Sequence, residues 1–168
     1  MSSSENKKHT PILTAEVAEK IEWWLAKFPE NQRQSAVIPG LHILQDKNQG
    51  YLTNEIMDEL ADYLDMPNIA VYEVATFYGM YQHKPVGKHQ LNICTNISCM
   101  LRGSKDIVKH LENKLNIKMG GTTSDGKFTL KPVECQGACC GAPMLEVGKK
   151  FYENLTIEKV DKLLQDLG

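Results

Sequence analysis

The chain has 168 residues, enough for one sizeable core or two small domains, and a chain of this length buries roughly 70% of its unfolded surface without a metal or disulfide staple. Its 19 basic and 21 acidic residues leave a formal net charge of -2, which gives no electrostatic basis for nucleic acid or an anionic membrane as the main partner. No apolar run approaches the roughly 20 residues of a membrane span, and MSSSENKKHT has neither a secretory apolar core nor the Arg-rich pattern of a transit peptide, so a soluble cytoplasmic protein is expected.

Residues 1–11 are polar and are expected to be disordered. From Thr14, read as an N-cap, Val17, Ile21, Trp24, Leu25 and Phe28 recur at helical spacing, and Pro29 closes that helix. A second pattern (Val37, Ile38, Leu41, Leu44) contains Pro39-Gly40, which predicts a break or kink near its start. A third helix follows Thr53 with Ile56, Met57, Leu60, Ala61 and Leu64, and a fourth follows Pro67 with Val71, Val74, Ala75 and Tyr78. The aromatic stretch Ala75–Tyr81 reads as helix packed on the second domain, because aromatic residues at helical spacing are usually core.

The basic, Pro- and Gly-containing connection Gln82–Lys88 marks a boundary, giving a helical bundle over 12–85 and a second domain over 86–168. His89–Cys94 alternates as a strand does, and a helix from about Ser104 turns Ile107, Val108, Leu111 and Leu115 inward. An Asp125-Gly126 turn leads into a strand at Phe128–Leu130. Met144–Val147 and Lys150–Tyr152 flank Gly148-Lys149 as a hairpin, and a last helix starts at Thr156 with Val160, Leu163, Leu164 and Leu167 on its apolar face. The order β-α-β-β-β-α suggests a small thioredoxin-like domain, so the whole chain is expected to be α+β, a helical bundle followed by a thioredoxin-like domain.

All five cysteines fall in that second domain, as C-x4-C at Cys94 and Cys99, thirty-five intervening residues, then C-x3-C at Cys135 and Cys139 with Cys140 adjacent. An odd, uneven set is not a secreted disulfide framework, and in a reducing compartment clustered thiols point to metal or redox chemistry. Structural zinc sites favour C-x2-C, and plant-type 2Fe-2S ferredoxins use C-x4-C-x2-C with a distant fourth cysteine; this chain fits neither template well. An iron-sulfur dimer accommodates the spacing, one pair on each iron, and its core carries net negative charge even before reduction. Gly103, Gly137 and Gly141 permit close backbone approach, and a helix N-terminus near Ser104 offers a positive dipole end. Arg102 and Lys105 add cationic charge there, or are simply a solvated helix start. Spacing alone leaves Cys139 and Cys140 in competition for the fourth ligand place. His9, His42, His83, His89 and His110 are scattered without ligand spacing and read as surface or structural residues.

VYEVATFYGMY (71–81), CTNISC (94–99), TTSDGKFTL (122–130), VECQGACCGAPM (133–144) and ENLT (153–156) closely resemble the E-type subunits of NADH-quinone oxidoreductase, the 24-kDa-type, thioredoxin-like 2Fe-2S subunit family of respiratory complex I. The resemblance covers about residues 14 to 167. It implies that Cys94, Cys99, Cys135 and Cys139 bind one 2Fe-2S cluster, since the family's second pair reads C-x-G-x-C, and that Cys140 lies outside the motif. It also implies an F-type flavoprotein partner that binds FMN and NADH, together with other peripheral-arm subunits. The cluster would exchange one electron with the reduced flavin, away from the main wire to quinone, and the chain would sit at the inner face of the energy-transducing membrane without inserting into it. No G-x-G-x-x-G follows a strand, so NADH is expected only on the partner, and no complete active site on this chain.

The same cysteine pattern suits the equivalent subunit of an NAD-linked formate dehydrogenase or bidirectional hydrogenase. From another class, a zinc-stabilised module without redox activity accounts for clustered thiols, whereas a thiol-disulfide oxidoreductase predicts a C-x-x-C that is missing here.

Overall fold

The computed structural model describes residues 11–168; apart from Pro11, the segment expected to be disordered lies outside the described residues. The chain divides into two compact units, the first ending at Pro85 and the second spanning Val86–Gly168.

The first unit contains four α-helices: α1 (Ala15–Leu25), α2 (Val37–Lys47), α3 (Asn54–Leu64) and α4 (Asn68–Phe77), with a 3-10 turn at Arg33–Ala36 before α2. Their core is the expected apolar stripe. Val17 and Ile21 of α1, Leu41 and Leu44 of α2, all five predicted positions of α3, and Val71 and Ala75 of α4 are buried together. Thr53 caps α3 by accepting a hydrogen bond from the Ile56 amide, whereas Thr14 sits at the N-cap of α1 without a side-chain bond.

Two expectations for this unit are corrected. Pro39-Gly40 do not break α2, which runs unbroken through them. The change of geometry comes earlier, from 3-10 to α at Ala36–Val37, and Pro39 falls in the first turn, where a missing N–H costs no intrahelical bond. The stretch Ala75–Tyr81 is helical only as far as Phe77. The helix α4 ends at Phe77, which is 79% exposed, and Tyr78 and Met80 are also exposed. Of the later residues only Tyr81 is buried, its hydroxyl donating to the Ile38 carbonyl at 2.9 Å.

The second unit is a four-stranded mixed sheet with helices. In chain order it runs β1 (His89–Cys94), α5 (Ile97–Leu101), α6 (Ser104–Leu115), β2 (Phe128–Val133), β3 (Leu145–Val147), β4 (Lys150–Tyr152) and α7 (Ile157–Leu167). The strand order is β2-β1-β3-β4, with β1 parallel to β2 and antiparallel to β3, and β4 closing the hairpin. Leu91 and Ile93 of β1 join Leu130, Leu145, Ile107 and Leu111 of α6, and Val160, Leu163 and Leu164 of α7 in one core. Both long helices therefore cover the sheet face that carries Leu91 and Ile93. The fold class is α+β, as expected.

β2 continues three residues past the predicted Leu130, through Pro132. An edge strand tolerates proline because one side of its ladder is unpaired. The 3-10 turn Cys139–Gly141 and the short α5 were not anticipated.

Candidate metal-sulfur site

Parallel pairing of β1 and β2 opposes Cys94 with Val133, so both strands end at the same edge. Cys94 is the last residue of β1, and Cys135 lies two residues beyond β2. The backbone ladder is extended one step by the Thr95 amide donating to the Val133 carbonyl at 3.1 Å.

Cys99 lies on α5. The helix starts where Asn96 Oδ1 accepts from the Ile97 amide at 2.8 Å, and an Asn at that position is the signal that could have revealed it. α5 turns Cys99 inward against Cys94, Ala142 and Met144, and both thiols are almost wholly buried. Its other face exposes Ile97 and Leu101.

Cys135, Cys139 and Cys140 are exposed, and no cysteine is in a disulfide. Gly137 takes φ +78 with open space around its Cα, so the C-x-G-x-C loop doubles back through a conformation that disfavours side chains. The result is a Cys135 Sγ to Cys139 Sγ separation of 3.5 Å. Two thiolates sharing a tetrahedral ion with 2.3 Å bonds lie about 3.8 Å apart, so this pair already has the bite of a metal-binding pair.

Two side-chain links join the cysteine loops. Asn96 donates through Nδ2 to Glu134 Oε2 at 2.9 Å, and Arg102 donates through Nη1 to the Cys140 carbonyl at 3.2 Å. Behind the second loop, the Asn154 amide donates to the Gly141 carbonyl at 2.6 Å and the Leu155 amide to the Pro143 carbonyl at 3.0 Å. Gly141 is required for that packing rather than for approach to the thiols: a Cβ there would overlap the Glu153 side chain and lie 2.7 Å from its Cβ. Neither Asn96, Glu134 nor Glu153 was singled out by sequence, since nothing local marks an ordinary polar residue as a strut. Lys105 lines a surface groove with Thr95, Met100, Val108, Lys109 and Glu112.

Burial pushes the Cys99 thiol up to about 11, and its hydrogen bond with Cys94 pushes the same way. The Met144 amide, donating to the Cys99 sulfur, opposes both, and Cys139 adds a smaller electrostatic contribution. A buried thiol in this state gives up its proton to solvent when a cation takes the proton's place on sulfur, as in metal binding. The thiols are thus linked as Cys94 to Cys99 and Cys135 to Cys139, with Cys139 within electrostatic reach of Cys99.

Among the described residues no three His, Cys, Asp or Glu side chains gather as a single ion requires. Thiols set in pairs suit a two-iron cluster, which takes two on each iron.

None of the four described histidines belongs to the site. His42 rests on Tyr81, His83 bonds the Ala75 carbonyl and His110 pairs with Asp161. His89 packs beside Phe128, and burial lowers its pKa.

Residues 21–168 match the thioredoxin-like 2Fe-2S ferredoxin family. The E-type subunit of NADH-quinone oxidoreductase from Rickettsia felis is 44% identical over 142 residues, 84% of this chain and 85% of that one. The second E-type subunit of the same oxidoreductase from Rhizobium meliloti is 44% identical over 147 residues, 88% of this chain and 86% of that one. The mitochondrial NADH dehydrogenase (ubiquinone) flavoprotein 2 of Dictyostelium discoideum is 42% identical over 166 residues, 98% of this chain and 67% of that one. Among solved structures, the air-oxidized NAD+-reducing NiFe hydrogenase superposes with a TM-score of 0.69 at 20% identity, over 83% of this chain and 24% of the hydrogenase chain. At that identity the likeness concerns the fold alone.

Proposed function

The chain belongs to the thioredoxin-like 2Fe-2S ferredoxin family and, within it, to the E-type relatives from NADH-quinone oxidoreductase, and from that premise we propose that it is the 2Fe-2S electron-transfer subunit of such an oxidoreductase, with Cys94, Cys99, Cys135 and Cys139 as ligands. The observation that carries the ligand assignment is the pairing itself: a buried, hydrogen-bonded Cys94–Cys99 pair beside a Cys135–Cys139 pair at 3.5 Å, brought to one sheet edge by parallel strands. Cys140 is left outside. Its neighbour's side chain faces Cys135, and adjacent side chains diverge.

When bound, the cluster supplies a one-electron carrier. The protein's part is to hold and tune it. The Met144 amide donates to the Cys99 sulfur and lightens the negative charge there. Cys94 and Cys99 close the inner side against Ala142 and Met144, which keeps water from that half. Cys135 and Cys139 lie on the exposed side, so the C-x-G-x-C loop is where a redox partner could approach a bound cluster. That partner is proposed to be the FMN- and NADH-binding flavoprotein subunit, which performs the two-electron chemistry of NADH while this chain exchanges single electrons with the flavin. Among the described residues no helix is long and apolar enough to cross a membrane, which suits a peripheral position in the assembly, proposed to be at the inner face of the energy-transducing membrane.

The test is anaerobic purification with iron, zinc and acid-labile sulfide analysis and EPR of the dithionite-reduced protein. Equal amounts of iron and sulfide with a reduced-state signal are expected. A colourless protein containing zinc and no sulfide overturns the reading.

A further inference from the structure

Two adjacent thiols compete for one place beside Cys135, and spacing does not choose between them. The geometry points to Arg102 as the positioning residue that makes the choice: by gripping the Cys140 carbonyl it holds the 139–141 turn against α5 so that Cys139, and not Cys140, completes the site. The inference rests on the cluster reading above and deepens it.

Arg102 is anchored to the first pair. It follows Cys99 by three residues, and its backbone amide closes α5 on the Ser98 and Cys99 carbonyls, both at 3.2 Å. The root of the side chain therefore moves with Cys99. Its far end reaches Nη1 to Cys140 O at 3.2 Å, one residue past Cys139. The turn's own bonds, Gly141 amide to Ala138 carbonyl at 3.0 Å and Ala142 amide to Cys139 carbonyl at 3.3 Å, fix its shape. They do not fix its rotation relative to α5.

Side chains of consecutive residues point apart, so a rotation of this exposed turn exchanges which thiol faces inward. The Arg102 bond opposes that rotation from the α5 side, as the Asn154 amide does from behind at Gly141. A guanidinium suits the task because its planar fork is preorganised for a carbonyl or carboxylate, while a lysine offers a single freely rotating ammonium.

The test compares R102L, R102K and R102Q in the full chain, alone and combined with C139A or C140A, all purified anaerobically. Readouts are iron and sulfide per chain, the EPR line shape of the reduced protein, and iodoacetamide labelling of Cys140 by mass spectrometry. The natural chain is expected to give one EPR species with Cys140 labelled. C139A alone loses the cluster.

In R102L two EPR species appear and Cys140 labelling falls several-fold. R102L/C140A returns to one species, and R102L/C139A recovers several-fold more iron and sulfide than C139A. R102K restores the single species in part, a rescue that a merely structural defect would not show. Should R102L fail to fold, R102Q is read by the same criteria. A single EPR species with Cys140 fully labelled in R102L, or no gain of iron in R102L/C139A, overturns the inference. A natural chain that contains no iron or sulfide overturns the cluster reading and this inference with it, whereas a natural chain with its cluster and an unaltered R102L overturns this inference alone.

Discussion

Replacing Gly141 by Ala isolates the packing that braces the second cysteine loop. The residue is not at positive φ, so its cost is steric rather than conformational. The new methyl would overlap Glu153 Oε2, lie 2.6 Å from its Cδ and lie 2.7 Å from its Cβ. The carboxyl end is exposed and flexible and can swing away. The Cβ of Glu153 is fixed to the backbone of the segment that bonds the loop, through Asn154 N–H to Gly141 O at 2.6 Å, so it retreats only by stretching that bond. Overpacking of this kind costs about 1–3 kcal/mol, and weakening one hydrogen bond adds about 0.5–1.5 kcal/mol at most. A loss of about 2 kcal/mol is expected, a fall of roughly 8–16 °C in the melting temperature of a domain this small. Calorimetry and iron retention at constant temperature measure it. E153A should restore only part of the loss, because an alanine keeps the offending Cβ, and E153G more. A G141A protein within about 0.5 kcal/mol of the natural chain, or full rescue by E153A, refutes the reasoning.

Cys140→Ala should leave visible absorption, iron content and the reduced-state EPR signal intact; loss of the signal would make Cys140 the ligand. In the first unit, a Cβ on Gly40 would come within 2.8 Å of Leu60 Cδ1. Overpacking of about 1–3 kcal/mol against about 1 kcal/mol of gained helix propensity predicts that Gly40→Ala destabilises by about 1 kcal/mol. In a Leu60→Ala background the same change should stabilise, as denaturant titration of both pairs would show. Asp161 is held below the ordinary carboxylate range chiefly by the hydrogen bond from His110, 2.7 Å away. Its folded pKa is depressed, so its stabilisation is complete above the unfolded value of about 3.9 and is lost as pH falls through the lower folded value. The stability deficit of Asp161→Asn in urea should therefore be present at about pH 5 and shrink below about pH 4; a deficit unchanged at low pH would rule out the carboxylate as its source.

The periodic elements were legible in the sequence because burial follows helical and strand periods directly. All five predicted apolar positions of α3 are buried, and the β1 strand ends at Cys94 as its alternation indicates. Expectation and structure part where local signals and tertiary context diverge. Phe77 has the hydrophobicity of a core residue yet is exposed, because it is the last residue of α4 and lies outside the stripe of Val71 and Ala75. The α5 helix has five residues, too few for a periodic pattern, and depends on Asn96 and on the burial of Cys99. For the site, the cysteine spacing showed two groups of thiols and left Cys139 and Cys140 undecided. The struts Asn96–Glu134, Arg102–Cys140 and Glu153 beside Gly141 join residues 38, 38 and 12 positions apart, and no single-chain pattern encodes such contacts.

The topology explains why thiols so distant in sequence meet. β1 and β2 are parallel neighbours in register from His89 with Phe128 to Cys94 with Val133, so their carboxyl ends, and the loops that follow, emerge at one edge. Had the pair been antiparallel, six residues at about 3.3 Å each would have put Cys94 and Cys135 about 20 Å apart. Parallel strands require a long crossover, and here it contains both α5, which delivers Cys99, and α6, whose Ile107 and Leu111 join the sheet core. The separation of the two cysteine pairs is therefore the length of one crossover and one return strand. Shortening the segment between α6 and β2 should leave the site intact as long as the Cys94–Val133 register survives. Shifting that register by one residue should abolish iron binding while the helices remain folded, because it would rotate the second cysteine loop away from Cys99.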